Sequence, residues 1–129
     1  MTTATTSTDP TTQRIAALND RFRAAEASTD PAGLSLGKKV LTSGVRALGL
    51  EHVVAIAEKV QSFDSFAEDN DPHGEHDFGA FEHEGQRIFW KIDYYDRAAF
   101  GTGRDYGSEN PADPATTLRV LTIMLASEY

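Results

Sequence analysis

The chain has no cysteine among its 129 residues. Disulfides, thiolate catalysis, iron–sulfur clusters and cysteine-ligated zinc are therefore excluded together, and any metal would have to be held by histidine and carboxylate. Nor does any apolar run approach the roughly 20 residues needed to cross a bilayer, so no membrane span is expected. The Thr/Ser-rich opening lacks the basic start and apolar middle of a secretory signal, which makes a cytoplasmic location the expectation. Basic residues are scarce: 12 Lys and Arg stand against 20 Asp and Glu, for a formal charge of −8. A surface of that sign repels a phosphate backbone unless its cations are gathered on one face, so direct nucleic-acid binding is disfavoured. The charge suits solubility, and it also suits a protein that competes with nucleic acid for a basic partner.

What is present describes one domain. The length can close a single core without staples, and 40% of residues are apolar, with seven Phe, four Tyr and one Trp to anchor packing. A disordered tail is expected over 1–9 and a single domain over 10–129. Asp9-Pro10 reads as a helix start, and Ile15, Leu18, Phe22 and Ala25 recur at helical spacing, which predicts a helix over 10–27 closed by the turn chemistry of Ser28 to Gly33. Lys39 to Thr42 has strand character, and Val45 to Leu48 suits a helical turn. Val53, Ile56, Ala57, Val60 and Phe63 predict a second helix over 50–62. A β-hairpin is expected over 78–95, turning around His83, Glu84 and Gly85. Because glutamate resists positive φ, a turn closing on Gly85 as a bulge is favoured over a two-residue turn; Phe78 and Ala80 then share the core face with Ile88, Trp90 and Ile92. Asp113-Pro114 repeats the capping device, and the apolar residues that follow predict a third, well-buried helix over 114–127. The expected fold class is α+β: a small antiparallel sheet with a central hairpin packed against three helices.

Chemistry concentrates in the polar loop that runs into the hairpin. Asp71, His73, His76 and Asp77 form a candidate divalent-metal set of imidazoles and carboxylates, although Pro72 and Gly74 imply irregular backbone with no helix to align the two rings. The competing reading is that these groups hydrogen-bond the loop's own turns. An EF-hand match starting at Asp69 fails, because the bidentate glutamate needed at its twelfth position falls on Ala80. For acid–base work the candidates are His76 with Asp93, helped by Glu75, since the expected hairpin brings His76 and Asp93 near each other. No cofactor-binding motif is present: Gly101 to Gly107 lacks the lysine of a phosphate loop. Phe81, Phe89, Lys91, Tyr95 and Asp96 are candidates for partner binding, because aromatic side chains supply rigid contact area.

The run Asn70 to Phe81, then Phe89 to Asp96, Gly107 to Pro111 and the ending Arg119 to Tyr129, resembles a bacterial family of unknown function. Its members are small soluble proteins common on plasmids and other mobile elements. The resemblance covers about 37–129 and leaves the first helix outside. It implies no activity, cofactor or catalytic residue, and its mobile-element setting implies plasmid or phage upkeep, or action against host defence. The expectation is a non-enzymatic, acidic interaction protein that binds a host protein and inhibits a nucleic-acid-dependent defence system. The alternative is a small metal-dependent or acid–base hydrolase using the loop from Asp71 to Asp77.

Overall fold

The computed structural model describes residues 9–24 and 34–129. In chain order the elements are α1 (Pro10–Ala24), β1 (Gly37–Leu41), α2 (Ser43–Arg46), α3 (Leu50–Gln61), β2 (Phe78–His83), β3 (Gln86–Asp96) and β4 (Thr117–Leu125), ending in a short 3-10 turn at Ala126–Glu128. Residues 1–8 of the tail expected over 1–9, and the helix end and turn expected over 25–33, lie outside the described residues. Among the described residues no helix is long and apolar enough to cross a membrane.

The hairpin turn sets how the sheet faces. Glu84 and Gly85 both hold positive φ, 46° and 84°, as in the two-residue type I′ turn whose twist matches that of paired strands. His83 thus pairs with Gln86, Phe81 with Ile88 and Gly79 with Trp90. The bulged turn expected from the sequence is not formed, and β2 is turned over relative to that expectation. Gly79, Phe81 and His83, instead of Phe78 and Ala80, share the face of Ile88, Trp90 and Ile92. Trp90 supplies a reason: its indole lies so tightly over Gly79 that a Cβ there would meet Nε1 at 2.3 Å. Glutamate in the left-handed region costs about 1–2 kcal/mol. Burying an indole contributes roughly 4 kcal/mol from its area, reduced by about 1–3 kcal/mol because the Trp90 Nε1–H has no hydrogen-bond partner among the described residues; Trp90 is 0% exposed.

The largest departure lies at the C-terminal segment. The helix expected over 114–127 is instead the strand β4, which runs between β1 (parallel) and β3 (antiparallel) in the order β1-β4-β3-β2. A broad apolar arc suits a buried helix, but the same run suits a central strand covered on both faces. Leu121 and Ile123 point to one side and Leu118 and Met124 to the other, and all four are buried. Thr117, Val120, Thr122 and Ile123 are β-branched, which tips the choice. Asp113, read as a helix cap, forms a tight turn in which its Oδ1 accepts from the Ala115 N–H at 3.0 Å. The sheet is therefore mixed, and α2 is the third helix. The α+β class stands.

One face of the sheet carries the core. Ile88, Trp90, Ile92, Leu121 and Ile123 pack there with Phe22 of α1, Val45 of α2, and Ile56 and Val60 of α3. Arg23 of α1 locks the helices together by donating from Nε to the Val60 carbonyl (2.9 Å) and from Nη2 to the Phe63 carbonyl (2.7 Å). These carbonyls lie at and just past the C-terminal end of α3, where backbone acceptors lack helical partners. The other sheet face carries Val40, Thr122, Lys91 and Phe78 in one row and Phe89 and Tyr95 along β3.

Candidate functional site

The chain from Phe63 to Asp77 joins α3 to β2, and its side chains leave in different directions. Asp71 is 0% exposed and its Oδ1 accepts from the His76 N–H at 3.1 Å, which fixes His76 at φ 58°. The His76 ring stacks on Phe66 with centroids 4.0 Å apart. Its Nδ1 meets Asp20 Oδ1 of α1 at 3.0 Å, while Nε2 lies 3.7 Å from Asp71 Oδ2. His76 is thus held between two carboxylates, one from the loop and one from α1.

Glu75 belongs to a separate buried network. Its Oε1 accepts from the Tyr94 hydroxyl at 2.9 Å. Asn19 Nδ2 donates to the Glu75 carbonyl at 2.9 Å and to Tyr94 Oη at 2.8 Å, and Asn19 Oδ1 accepts from Arg119 Nε at 2.7 Å. Burial, with Asp77 and Glu75 nearby, pushes the Tyr94 hydroxyl above the ordinary phenol range. Burial also draws the Arg119 guanidinium below its ordinary value. A buried polar group is tolerated when its partners are supplied; the network engages Arg119 through Nε and, by donation to the Pro111 carbonyl at 2.7 Å, through Nη2, while its buried Nη1 has no hydrogen-bond partner among the described residues.

His73 and Asp77 go to the other side. With Phe78, Lys91, Asp93 and Tyr129 they line a cleft of about 370 Å³ beside the helix-free sheet face. Burial, reinforced by Glu75 and Asp71, pushes the Asp77 carboxyl up to about 6. Asp93 is engaged by Lys91, whose Nζ donates to Oδ2 at 2.7 Å; that bond holds the ammonium above its ordinary value. A second cleft of about 400 Å³ opens where α1 begins, but Arg14 and Asp113 are the charged groups on its wall.

The expected site residues therefore separate. His76 engages Asp20 and Asp71 while Asp93 engages Lys91. Asp71, His73, His76 and Asp77 do not gather as ligands; among the described residues the group that does is His52, His83 and Glu84. Of the partner candidates, Phe89, Lys91 and Tyr95 lie on the helix-free face. Phe81 turns to the core, and Asp96 caps a turn by accepting from the Ala99 N–H at 3.0 Å.

A family model described as "Protein of unknown function (DUF3768)" matches residues 41–128. The chain belongs to this family. The DUF3768 match spans α2, α3, the loop, the hairpin and β4, and it begins after α1. Buried Asn19 and half-exposed Asp20, which hold the loop from α1, thus come from outside the matched region. No curated protein and no solved structure matches the chain.

Sequence reasoning missed Asn19, Asp20, Tyr94 and Arg119 as partners of the loop. A signal was present in α1: Ile15, Asn19 and Phe22 fall at i, i+4 and i+7 on one helix face, which makes Asn19 a polar residue within the apolar stripe. The long-range partners carry no comparable local mark.

Proposed function

We propose that this DUF3768 protein is a non-enzymatic binding module that takes up a basic protein segment on its helix-free sheet face. The observation that carries the reading is the juxtaposition of half-buried Phe89 and Tyr95, exposed Val40 and the cleft holding Asp77 and Asp93. The rings offer apolar contact area, the carboxylates offer charge to lysine or arginine, and the overall charge of −8 steers a cationic partner inward. In the bacterial, mobile-element setting that the family resemblance implies, the partner is a host defence protein, whose nucleic-acid groove an acidic surface can occupy.

The test is calorimetric titration with lysine- and arginine-rich peptides carrying aliphatic side chains, an acidic peptide and duplex DNA as controls. Basic peptides should bind, more weakly in high salt, and Phe89→Ala should weaken binding. Binding of DNA, or peptide binding indifferent to Phe89→Ala, contradicts the reading.

The cleft also supports a second reading. A carboxyl at about 6 beside an exposed His73 is poised for proton transfer near neutral pH. A hydrolase of this kind would use Asp77 and His73, and its turnover of activated esters should vanish in Asp77→Asn.

A further inference from the structure

At the opposite end of the hairpin, away from the cleft, three donor atoms meet. His52 Nδ1, in the first turn of α3, lies 3.0 Å from His83 Nε2 at the end of β2. Glu84 Oε2, on the turn, lies 3.8 Å from the first nitrogen and 3.7 Å from the second. The carboxylate is therefore almost equidistant from the two rings and too far from either to hydrogen-bond it. It is aimed at the space they share. We propose that His52, His83 and Glu84 bind a borderline divalent cation of the zinc type, a site independent of the sheet face.

The separations suit such an ion. Donors about 2.0–2.2 Å from a tetrahedral centre stand roughly 3.3–3.6 Å apart, and the observed 3.0, 3.7 and 3.8 Å bracket that span. Two imidazoles and one carboxylate favour zinc and its neighbours over magnesium or calcium, which prefer all-oxygen sets. The fourth position opens on a cleft of about 260 Å³ walled by Leu48 and Gln86, so water or a small anion completes the sphere.

Lys59 sets the condition for loading. Its Nζ lies 3.0 Å from His83 Nδ1 and can only donate, so His83 carries its ring proton on Nε2 and shares it with His52 Nδ1. The cation takes the Nε2 lone pair. The proton then moves to Nδ1 and Lys59, an exposed side chain, swings away. Loading thus exchanges a hydrogen-bonded histidine pair for a metal clasp between α3 and the hairpin turn.

The test uses the full chain stripped with chelator and titrated with Zn²⁺ by calorimetry, with Co²⁺ absorption as the report on geometry. One ion should bind per chain, raise the melting temperature, and give the Co²⁺ spectrum of a tetrahedral nitrogen and oxygen site. Glu84→Gln, at an exposed position, and His52→Ala should each weaken binding by at least the roughly 10–100-fold that loss of a ligand's supporting partner already causes. Removing the Lys59 cation in Lys59→Met should tighten binding about tenfold, the worth of one charge near a divalent ion in water. His73→Ala should change nothing. The proposal is overturned if neither ion binds, if binding survives both Glu84→Gln and His52→Ala, or if it depends on His73.

Discussion

The four histidines of the chain divide into two pairs, and the pairs behave in opposite ways. His73 and His76 sit three residues apart in a loop crowded with carboxylates, yet His76 is bound into α1 and His73 faces the cleft. His52 and His83 are far apart in sequence and stand 3.0 Å from each other. The loop divides its groups between the fold and the cleft, whereas the hairpin tip aims its groups at a common point. Density of reactive residues along a chain is thus a poor guide to their convergence, because convergence depends on backbone direction and on which neighbours satisfy each group first.

The strongest way to break this contrast is Asn19→Ala, which strips bonds from the Glu75 carbonyl, Tyr94 and the buried Arg119. It should cost about 3 kcal/mol in urea denaturation, since it leaves a buried guanidinium under-satisfied. Next is His76→Ala, with an expected loss of about 2 kcal/mol from the Asp20 contact and the Phe66 stack.

Asp77→Asn should act in the other direction. The folded carboxyl sits at about 6, above its ordinary 3.8, so the folded state holds the proton more tightly and its stability falls as pH rises through that window. Asparagine removes the penalty. A gain of about 1 kcal/mol is expected above about pH 6.5, discounted for partial exposure and vanishing below about pH 4; a pH series of melting temperatures checks it.

The smallest effect distinguishes the two ends of the hairpin. Glu84→Asn creates the Asn-Gly pair that a type I′ turn prefers. It should recover part of the roughly 1–2 kcal/mol that a left-handed side chain costs, raising metal-free stability while weakening Zn²⁺ binding.

Much of the architecture was legible locally. α1 and α3 follow from apolar spacing, and the hairpin follows from aromatic alternation around Glu84-Gly85. The strand β4 was not legible, because a run buried on both faces erases the period that separates strand from helix. The turn type was decided by a tertiary contact, the indole of Trp90 over Gly79, which no local propensity encodes. At the site, the loop was found but its direction was not. Asp20 and Asn19 reach it from another element, and the His52, His83 and Glu84 group depends on a register that the expected bulge would have shifted.

The central claim, that His76 of the loop serves to hold α1, is tested most directly by a double-mutant cycle on Asp20→Ala and His76→Ala in urea denaturation at pH 7. The account predicts a coupling of about 1 kcal/mol or more, within the usual span for contacting residues. A coupling indistinguishable from zero would contradict it and return His76 to the chemistry of the site.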